Sequence, residues 1–193
     1  MLESAEQTIR AAQEAGATLS ADSMRTLVVR AGRIEGPRLI SYAAMLRVVT
    51  DLTLARTLGD VWSAAEYPEE SLGRAEWVGL FRQAGFTVDG ERSERPAAPV
   101  RLYRGAPKSR RRRMSWTSEE TIAERFATGG LRGREPGMVW VVDAPPEAIL
   151  AVVDGRHEGE HLLDTRGLRI NPAGSKRVAD GERPQNSRPS TAL

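Results

Sequence analysis

The sequence contains no cysteine and only two histidines, His157 and His161. The absence of cysteine excludes disulfide bonds, thiolate nucleophiles and cysteine-ligated zinc from the chemistry of the chain. Cysteine usage therefore gives no guide to the redox compartment. Any catalytic function must be carried by other side chains.

Long apolar runs are also missing. No segment approaches the roughly 18 apolar residues that a membrane-spanning helix needs. The first six residues contain neither a basic region nor an apolar core, so we expect no secretory signal. Of the 193 residues, 40% are hydrophobic and 28% are charged, and the formal net charge is +2. These values are typical of a soluble globular protein, which we expect in the cytoplasm and without a membrane partner.

The N-terminal part has the pattern of packed helices. Apolar residues recur at helical spacing between Leu27 and Leu58. Pro68 begins a further helix, with two carboxylates in its first turn, and Gly85 ends it. We assign residues 1–95 to a helical N-terminal region, with a charged, proline-containing connector at its end.

The second half changes to short strands. Apolar, β-branched runs predict strands at 100–103, 138–142 and 149–153. Between the first two, Thr117 and Glu120 have the spacing of a capping box and predict a helix over 118–127. Helices first and strands later favour an α+β fold with a core over 96–170. Residues 171–193 are rich in Pro, Ser, Gly and Arg and predict a mobile tail.

A basic run, Lys108 to Arg113, has five positive charges in six residues. Such a run can contact the phosphates of a nucleic acid. It lies between two predicted strands, however, and no aromatic residue interrupts it as a base-stacking surface requires. We interpret it as a solvated hairpin loop. A binding module for nucleic acid or for an acidic protein remains an alternative function.

Residues 157–161 read His-Glu-Gly-Glu-His and fit the pattern H-E-x-x-H. On a helix this spacing makes both histidines zinc ligands and Glu158 a general base, which is the second alternative, a zinc-dependent hydrolase. Gly155 and Gly159 disfavour a continuous helix here. The third ligand would come from upstream or from Asp164, Asp180 or Glu182.

The same residues can also be read as a strand. Glu158 and Glu160 would then point to one side, roughly 6–7 Å apart along the backbone. Two neighbouring carboxylates suit chemistry that stabilises a cationic sugar and handles a proton. Their mutual repulsion would raise the pKa of one of them.

The features before this pair occur in a distinctive order. Arg104 ends a strand beside Gly105, which would let a ligand approach, and the segment 115–117 reads Ser-Trp-Thr. A helix and a glycine- and arginine-rich loop over 129–137 follow, and the glutamate pair comes last. This order resembles the mono-ADP-ribosyltransferases of the Arg/Ser-x-Ser/Glu type over residues 99–170. The resemblance implies a mixed, split β core of the ADP-ribosyltransferase kind, on which we expect the N-terminal helices to pack.

The resemblance also implies a role for each matching residue toward NAD, the substrate. Arg104 would anchor NAD through a phosphate or ribose, as a planar guanidinium can. The Ser115 hydroxyl would order the site and support the catalytic glutamate, with Thr117 in place of the second serine. Trp116 would belong to the core or shape the pocket. Arg132, or Arg134 in the same loop, would reach the pyrophosphate.

Two further implications concern the reaction. Glu160 would hold the ribose 2′-hydroxyl and stabilise the oxocarbenium-like centre. Glu158 would engage the acceptor, and a glutamate there usually accompanies arginine acceptors. Phe126 lies where some members place an aromatic ring against nicotinamide, but we favour a core position for it. The prediction is an enzyme that moves ADP-ribose to a protein, nucleic acid or small molecule, whether as a toxin, a phage weapon or a housekeeping modifier.

Overall fold

The protein is described by a computed structural model over residues 2–128, 135–155 and 159–174. Within these ranges there are six α-helices: α1 (Leu2–Glu14), α2 (Ala21–Met45), α3 (Asp51–Ala64), α4 (Pro68–Ser71), α5 (Arg74–Ala84) and α6 (Glu120–Ala127). The same ranges contain eight strands: β1 (Thr87–Val88), β2 (Glu91–Arg92), β3 (Val100–Ala106), β4 (Ser115–Thr117), β5 (Met138–Ala144), β6 (Ile149–Val153), β7 (Glu160–Leu163) and β8 (Asn171–Pro172). The fold is a mixed one with its helices mainly first, as predicted.

The strands form one open, mixed sheet in the order β2-β1-β6-β7-β4-β3-β5-β8. Only the pair β1 and β6 is parallel among the described strands. The described strands form a single sheet, because β4 pairs with β3 on one edge and with β7 on the other. The split core of the ADP-ribosyltransferase kind stays a prediction.

The helix predicted from Pro68 to Gly85 is two helices. The first helix, α4, is a single turn that ends with a hydrogen bond from the Leu72 N–H to the Pro68 carbonyl at 3.1 Å. Gly73 separates it from α5. The predicted end is confirmed, because Gly85 follows the last residue of α5 with a left-handed φ of 84°.

The predicted capping box at α6 is wrong. Thr117 belongs to β4, so its hydroxyl does not reach the first turn of the helix. The hydroxyl instead accepts the Glu119 N–H at 3.0 Å, and Glu119 itself precedes the helix without a side-chain cap. Phe126 is also misassigned as core, because it is 36% exposed on α6.

Three of the strands lie in segments that we assigned otherwise. β1 and β2 form a hairpin around Asp89 and Gly90, and β1 pairs with β6, so part of the predicted helical region and connector belongs to the sheet. β8 pairs with β5, although we assigned Asn171 and Pro172 to the tail. The remainder of the predicted tail, from residue 175 onward, lies outside the described residues.

The sheet separates two hydrophobic cores. Leu162 is buried among residues of α1, α2, α3 and α5, whereas its neighbour Leu163 is buried with Leu102 and Trp116 on the other side. We call the first side the helical face and the second the opposite face. Alternation along each strand assigns Ser115, Thr117, Glu160 and Leu162 to the helical face. In the described part of the chain, no helix is both long and apolar enough to cross a lipid bilayer.

Candidate active site

Strand pairing aligns a hydroxyl and a carboxylate on the helical face. Thr117 is the direct partner of Tyr103 on one side and of Glu160 on the other. Ser115 lies two residues earlier on β4, opposite Leu162. Side chains directly opposite each other in an antiparallel pair share a face, with Cβ atoms roughly 5 Å apart. The structure therefore brings together Ser115, Thr117 and Glu160, as the sequence predicted.

A tryptophan from the helical region holds the Glu160 carboxylate. The indole Nε1 of Trp62, on α3, donates to Glu160 Oε1 at 3.0 Å. The Trp62 ring is 4% exposed and packs edge-on against Trp77, with the ring centroids 5.2 Å apart. The donor is thus rigid, and it fixes one carboxylate oxygen. Sequence reasoning missed Trp62, because its contact spans 98 residues and its local pattern is that of a buried helix residue.

Three hydrogen bonds also fix the backbone before Glu160. The Gly159 N–H donates to Asp154 Oδ1 at 2.8 Å, and the Asp154 N–H donates to Asp89 Oδ1 at 2.7 Å. The Gly159 carbonyl accepts the Ser118 N–H at 3.2 Å. Gly159 has a left-handed φ of 52°, and a Cβ there would lie 2.4 Å from the Ser118 hydroxyl oxygen. The left-handed φ therefore favours glycine at this position.

Glu160 forms part of the wall of a cavity of about 370 Å³ between the sheet and the helices. Arg25 of α2 and Arg56 and Asp60 of α3 contribute charged groups to it, as does Asp89 of the β1–β2 turn. Arg25 is held by Asp60 at 3.0 Å and by the Arg56 carbonyl at 2.7 Å. The cavity bears charges of both signs, so it can accommodate a polar ligand beside the Glu160 carboxylate.

Arg104 is not brought into this group. Its neighbour Tyr103 occupies the helical-face position opposite Thr117, so Arg104 points to the opposite face. There its guanidinium donates to the carbonyls of Arg110, at 3.1 Å, and of Ser115. The observed contacts thus fix the connection between β3 and β4. Contact with NAD stays a prediction for Arg104.

Gly105 differs from what we expected, and Trp116 takes the core position, one of the two alternatives that we left open for it. A Cβ at Gly105 would lie 1.8 Å from the Ala123 carbonyl oxygen, so the missing side chain admits the backbone of α6 rather than a ligand. Trp116 is 2% exposed in the core of the opposite face, where its Nε1 donates to the Arg113 carbonyl at 2.9 Å. It is a core residue and does not lie beside Glu160.

The remaining predicted site residues are Arg132, Arg134, His157 and Glu158, and they lie outside the described residues, as do Asp180 and Glu182. His161 is on β7, with Nδ1 2.7 Å from the Gly159 carbonyl oxygen, so it does not have the helical setting of a zinc-binding H-E-x-x-H. The Asp164 carboxylate, one of the third zinc ligands that we considered, forms ion pairs with Arg82 and Arg166. Within the described ranges, no three His, Asp or Glu side chains cluster as a metal site would require.

We compared the chain with protein-family models, with curated proteins and with solved structures. None of them matches it. The arguments for function are therefore the resemblance of the motifs and the geometry around Glu160.

Proposed function

We propose that the protein transfers ADP-ribose from NAD to a nucleophilic acceptor and releases nicotinamide. One observation carries this proposal. The Glu160 carboxylate lies on the helical face beside Thr117, is held by the Trp62 indole, and borders a cavity that bears charged groups of both signs. An ADP-ribosyltransferase type of fold is part of the same proposal, supported by the order of the motifs.

In the proposed reaction, Glu160 accepts a hydrogen bond from the ribose 2′-hydroxyl and stabilises positive charge on the ribose. The bond between C1′ and the nicotinamide nitrogen breaks, and nicotinamide leaves with the bonding electron pair. The acceptor nucleophile then attacks C1′ and loses its proton to a base, the role that the resemblance gives to Glu158. A preorganised carboxylate favours this transition state, because it needs no reorientation as charge develops.

The other residues support Glu160 in this proposal. Trp62 occupies one side of Oε1 and so leaves the second carboxylate oxygen for the ribose. Ser115 and Thr117 supply hydroxyls on the same face, and Thr117 is 7% exposed. Arg104 lies on the opposite face of the sheet, where its guanidinium donates to the Ser115 carbonyl and so positions β4. An arginine-bearing protein is the acceptor that we propose first.

The experiment is nicotinamide release from NAD, with EDTA present and polyarginine supplied as acceptor. We expect release by the wild type and a loss of at least about 100-fold in kcat for Glu160→Gln, because the charge that stabilises the cation is gone. The amide oxygen of glutamine can still accept from Trp62, so the fold is retained. No release by the wild type, or undiminished release by the variant, would contradict the proposal. Release abolished by EDTA would favour the zinc-dependent hydrolase.

A second variant separates positioning from the charge itself. Trp62→Phe keeps an aromatic ring but removes the N–H donor to Glu160, and we expect kcat to fall roughly tenfold while KM changes little. The matched control is Trp77→Phe, which removes an indole donor to the Pro68 carbonyl at 2.8 Å in the same aromatic cluster. Equal losses of kcat in both variants would show that Trp62 acts only through stability.

A further inference from the structure

A second concave surface lies away from Glu160. It is a groove of about 480 Å³, and it shares no lining residue with the Glu160 cavity. We call it the basic groove, after the four arginines that line it, Arg74, Arg112, Arg113 and Arg166. Glu69, Ser109, Ala75 and Val78 complete its lining.

Arg112 is held in the groove by neutral groups. Its guanidinium donates to the carbonyls of Thr165 and Leu168, at 3.1 and 3.3 Å. The Thr165 hydroxyl in turn donates to the Arg112 carbonyl at 2.6 Å. These partners fix the side chain without cancelling its charge. A fixed and uncompensated guanidinium is what an anion site requires, because little side-chain freedom is lost when the anion binds.

The other groove arginines are oriented by carboxylates. Arg113 donates to Glu70 at 2.8 Å, and Arg166 donates to Asp164 at 2.7 Å. Arg74 lies 3.4 Å from Glu69, whose side chain is only 10% exposed. A guanidinium has five N–H donors, and each of these carboxylates accepts from only some of them. The remaining N–H groups of Arg74, Arg113 and Arg166 can donate to a ligand.

Cations extend beyond the groove along the turn between β3 and β4. Lys108 and Arg110 are exposed there. Within the described ranges, neither they nor Arg112 form an ion pair with a carboxylate. Arg111 turns away and lies 5.7 Å above the centre of the Trp140 ring. The run that we interpreted as a solvated loop is thus a turn whose cations at Lys108, Arg110 and Arg112 adjoin the basic groove.

We infer that the basic groove and the adjoining turn bind the phosphate backbone of a double-stranded nucleic acid without sequence preference. Guanidinium forks match phosphate oxygens, and a cluster of cations on one surface matches the closely spaced phosphates of a duplex. No aromatic residue lines the groove, so it has no surface on which unpaired bases could stack. A protein partner would need an apolar anchor, for which Ala75 and Val78 are small. The inference does not depend on the proposed transfer reaction.

The test is fluorescence anisotropy with a labelled DNA duplex of mixed sequence, about 20 base pairs long, from about 50 to about 200 mM KCl. We expect binding that weakens steeply with salt. Arg112→Gln and Arg110→Gln should each weaken it roughly tenfold and reduce the slope of log K against log salt by about one. The control is Arg30→Gln, which removes the same charge from an exposed position on α2, outside the groove. It should bind within about twofold of the wild type.

Four results would overturn the inference. They are no binding at the lowest salt, an equal loss in Arg30→Gln, equally effective competition by polyglutamate of matched charge, and tighter binding of a single strand than of the duplex. The melting temperature of each variant is compared with that of the wild type, to show that a loss of binding is not caused by misfolding. Arg110→Gln keeps the test valid should Arg112→Gln unfold, since the Arg110 side chain makes no hydrogen bond within the described ranges. Glu160→Gln should bind the duplex like the wild type, which separates this inference from the proposed enzymatic activity.

Discussion

At the scale of single residues, Asp164 joins α5 to the segment after β7. Its side chain is 6% exposed, and its carboxylate accepts from Arg82 and from Arg166, each at 2.7 Å. The hydrogen bond from the Arg166 side chain, with smaller contributions from the Arg166 backbone N–H and the charge of Arg82, lowers the pKa of Asp164 below its ordinary value. The folded state therefore favours the ionised carboxylate.

We expect Asp164→Asn to lower the free energy of unfolding by about 2 kcal/mol at neutral pH, a value reduced for the exposure of both arginines. Because the folded pKa lies below the unfolded one, the stabilisation is complete above about pH 4 and is lost as the pH falls further. Urea denaturation at neutral pH and at about pH 3.5 measures this.

The control for that measurement is Asp60→Asn, which breaks an ion pair between a 68% exposed carboxylate and Arg25. It should cost less than about 1 kcal/mol. A difference between wild type and Asp164→Asn that stays constant with pH would contradict the role given to the Asp164 charge.

Single residues also show where sequence reasoning was sufficient. The grouping of Glu160 with Ser115 and Thr117 was expected from motif order, and strand pairing places the three on one face. Their chemistry stays a prediction. The side to which Arg104 points could not be predicted, because a shift of one residue in register reverses every side chain of a strand. Trp62 could not be predicted either, since only the folded chain brings α3 against β7.

At the scale of elements, α6 lies directly on β3. The contact is closest at Gly105, where an added methyl group would lie 1.8 Å from the Ala123 carbonyl oxygen and 2.5 Å from the Ala127 nitrogen. Both contacts are with helix backbone, which cannot turn aside as a side chain can. The position of α6 therefore depends on the absence of a side chain at Gly105.

We expect Gly105→Ala to lower the free energy of unfolding by about 3 kcal/mol, because helix and strand must separate. Gly79→Ala is the matched control, since Gly79 is exposed on α5 and a Cβ there would meet no atom within 4 Å. That change should stabilise the protein by about 0.8 kcal/mol through helix propensity. Urea denaturation of both variants checks the two signs, and an unchanged midpoint for Gly105→Ala would contradict the close approach.

Strand prediction from the sequence succeeded where the apolar runs are long and failed where the strands are short. β3, β5 and β6 were predicted from apolar runs of several residues. β1, β2 and β8 have two residues each, and two residues cannot show an alternating pattern. The division between α4 and α5 was missed, although Gly73 marks it, because the carboxylates after Pro68 indicated one continuous helix.

At the scale of the whole molecule, the helices and the sheet share one core. Leu150 and Leu162 of the sheet are fully buried among apolar residues of the N-terminal helices. β1, which precedes residue 96, supplies the parallel neighbour of β6. The region that we predicted as a separate β core is therefore covered on its helical face by the region before it.

We expect a chain that begins at residue 96 not to fold cooperatively, since it exposes that face and loses the partner of β6. Near-ultraviolet circular dichroism and urea denaturation should show no sharp transition, in contrast to the full chain. A transition with the midpoint of the full chain would instead show that residues 96–193 form an independent domain.

The contact between Trp62 and Glu160 has one consequence of a practical kind. Indole emission responds to charge and to water close to the ring, and here a carboxylate lies 3.0 Å from the indole nitrogen. Any ligand that enters the cavity and neutralises or moves that carboxylate changes the surroundings of the fluorophore. The chain contains three other tryptophans, so subtracting the spectrum of Trp62→Phe isolates the signal. The protein thus has a built-in optical reporter of occupancy, and a titration needs no attached dye.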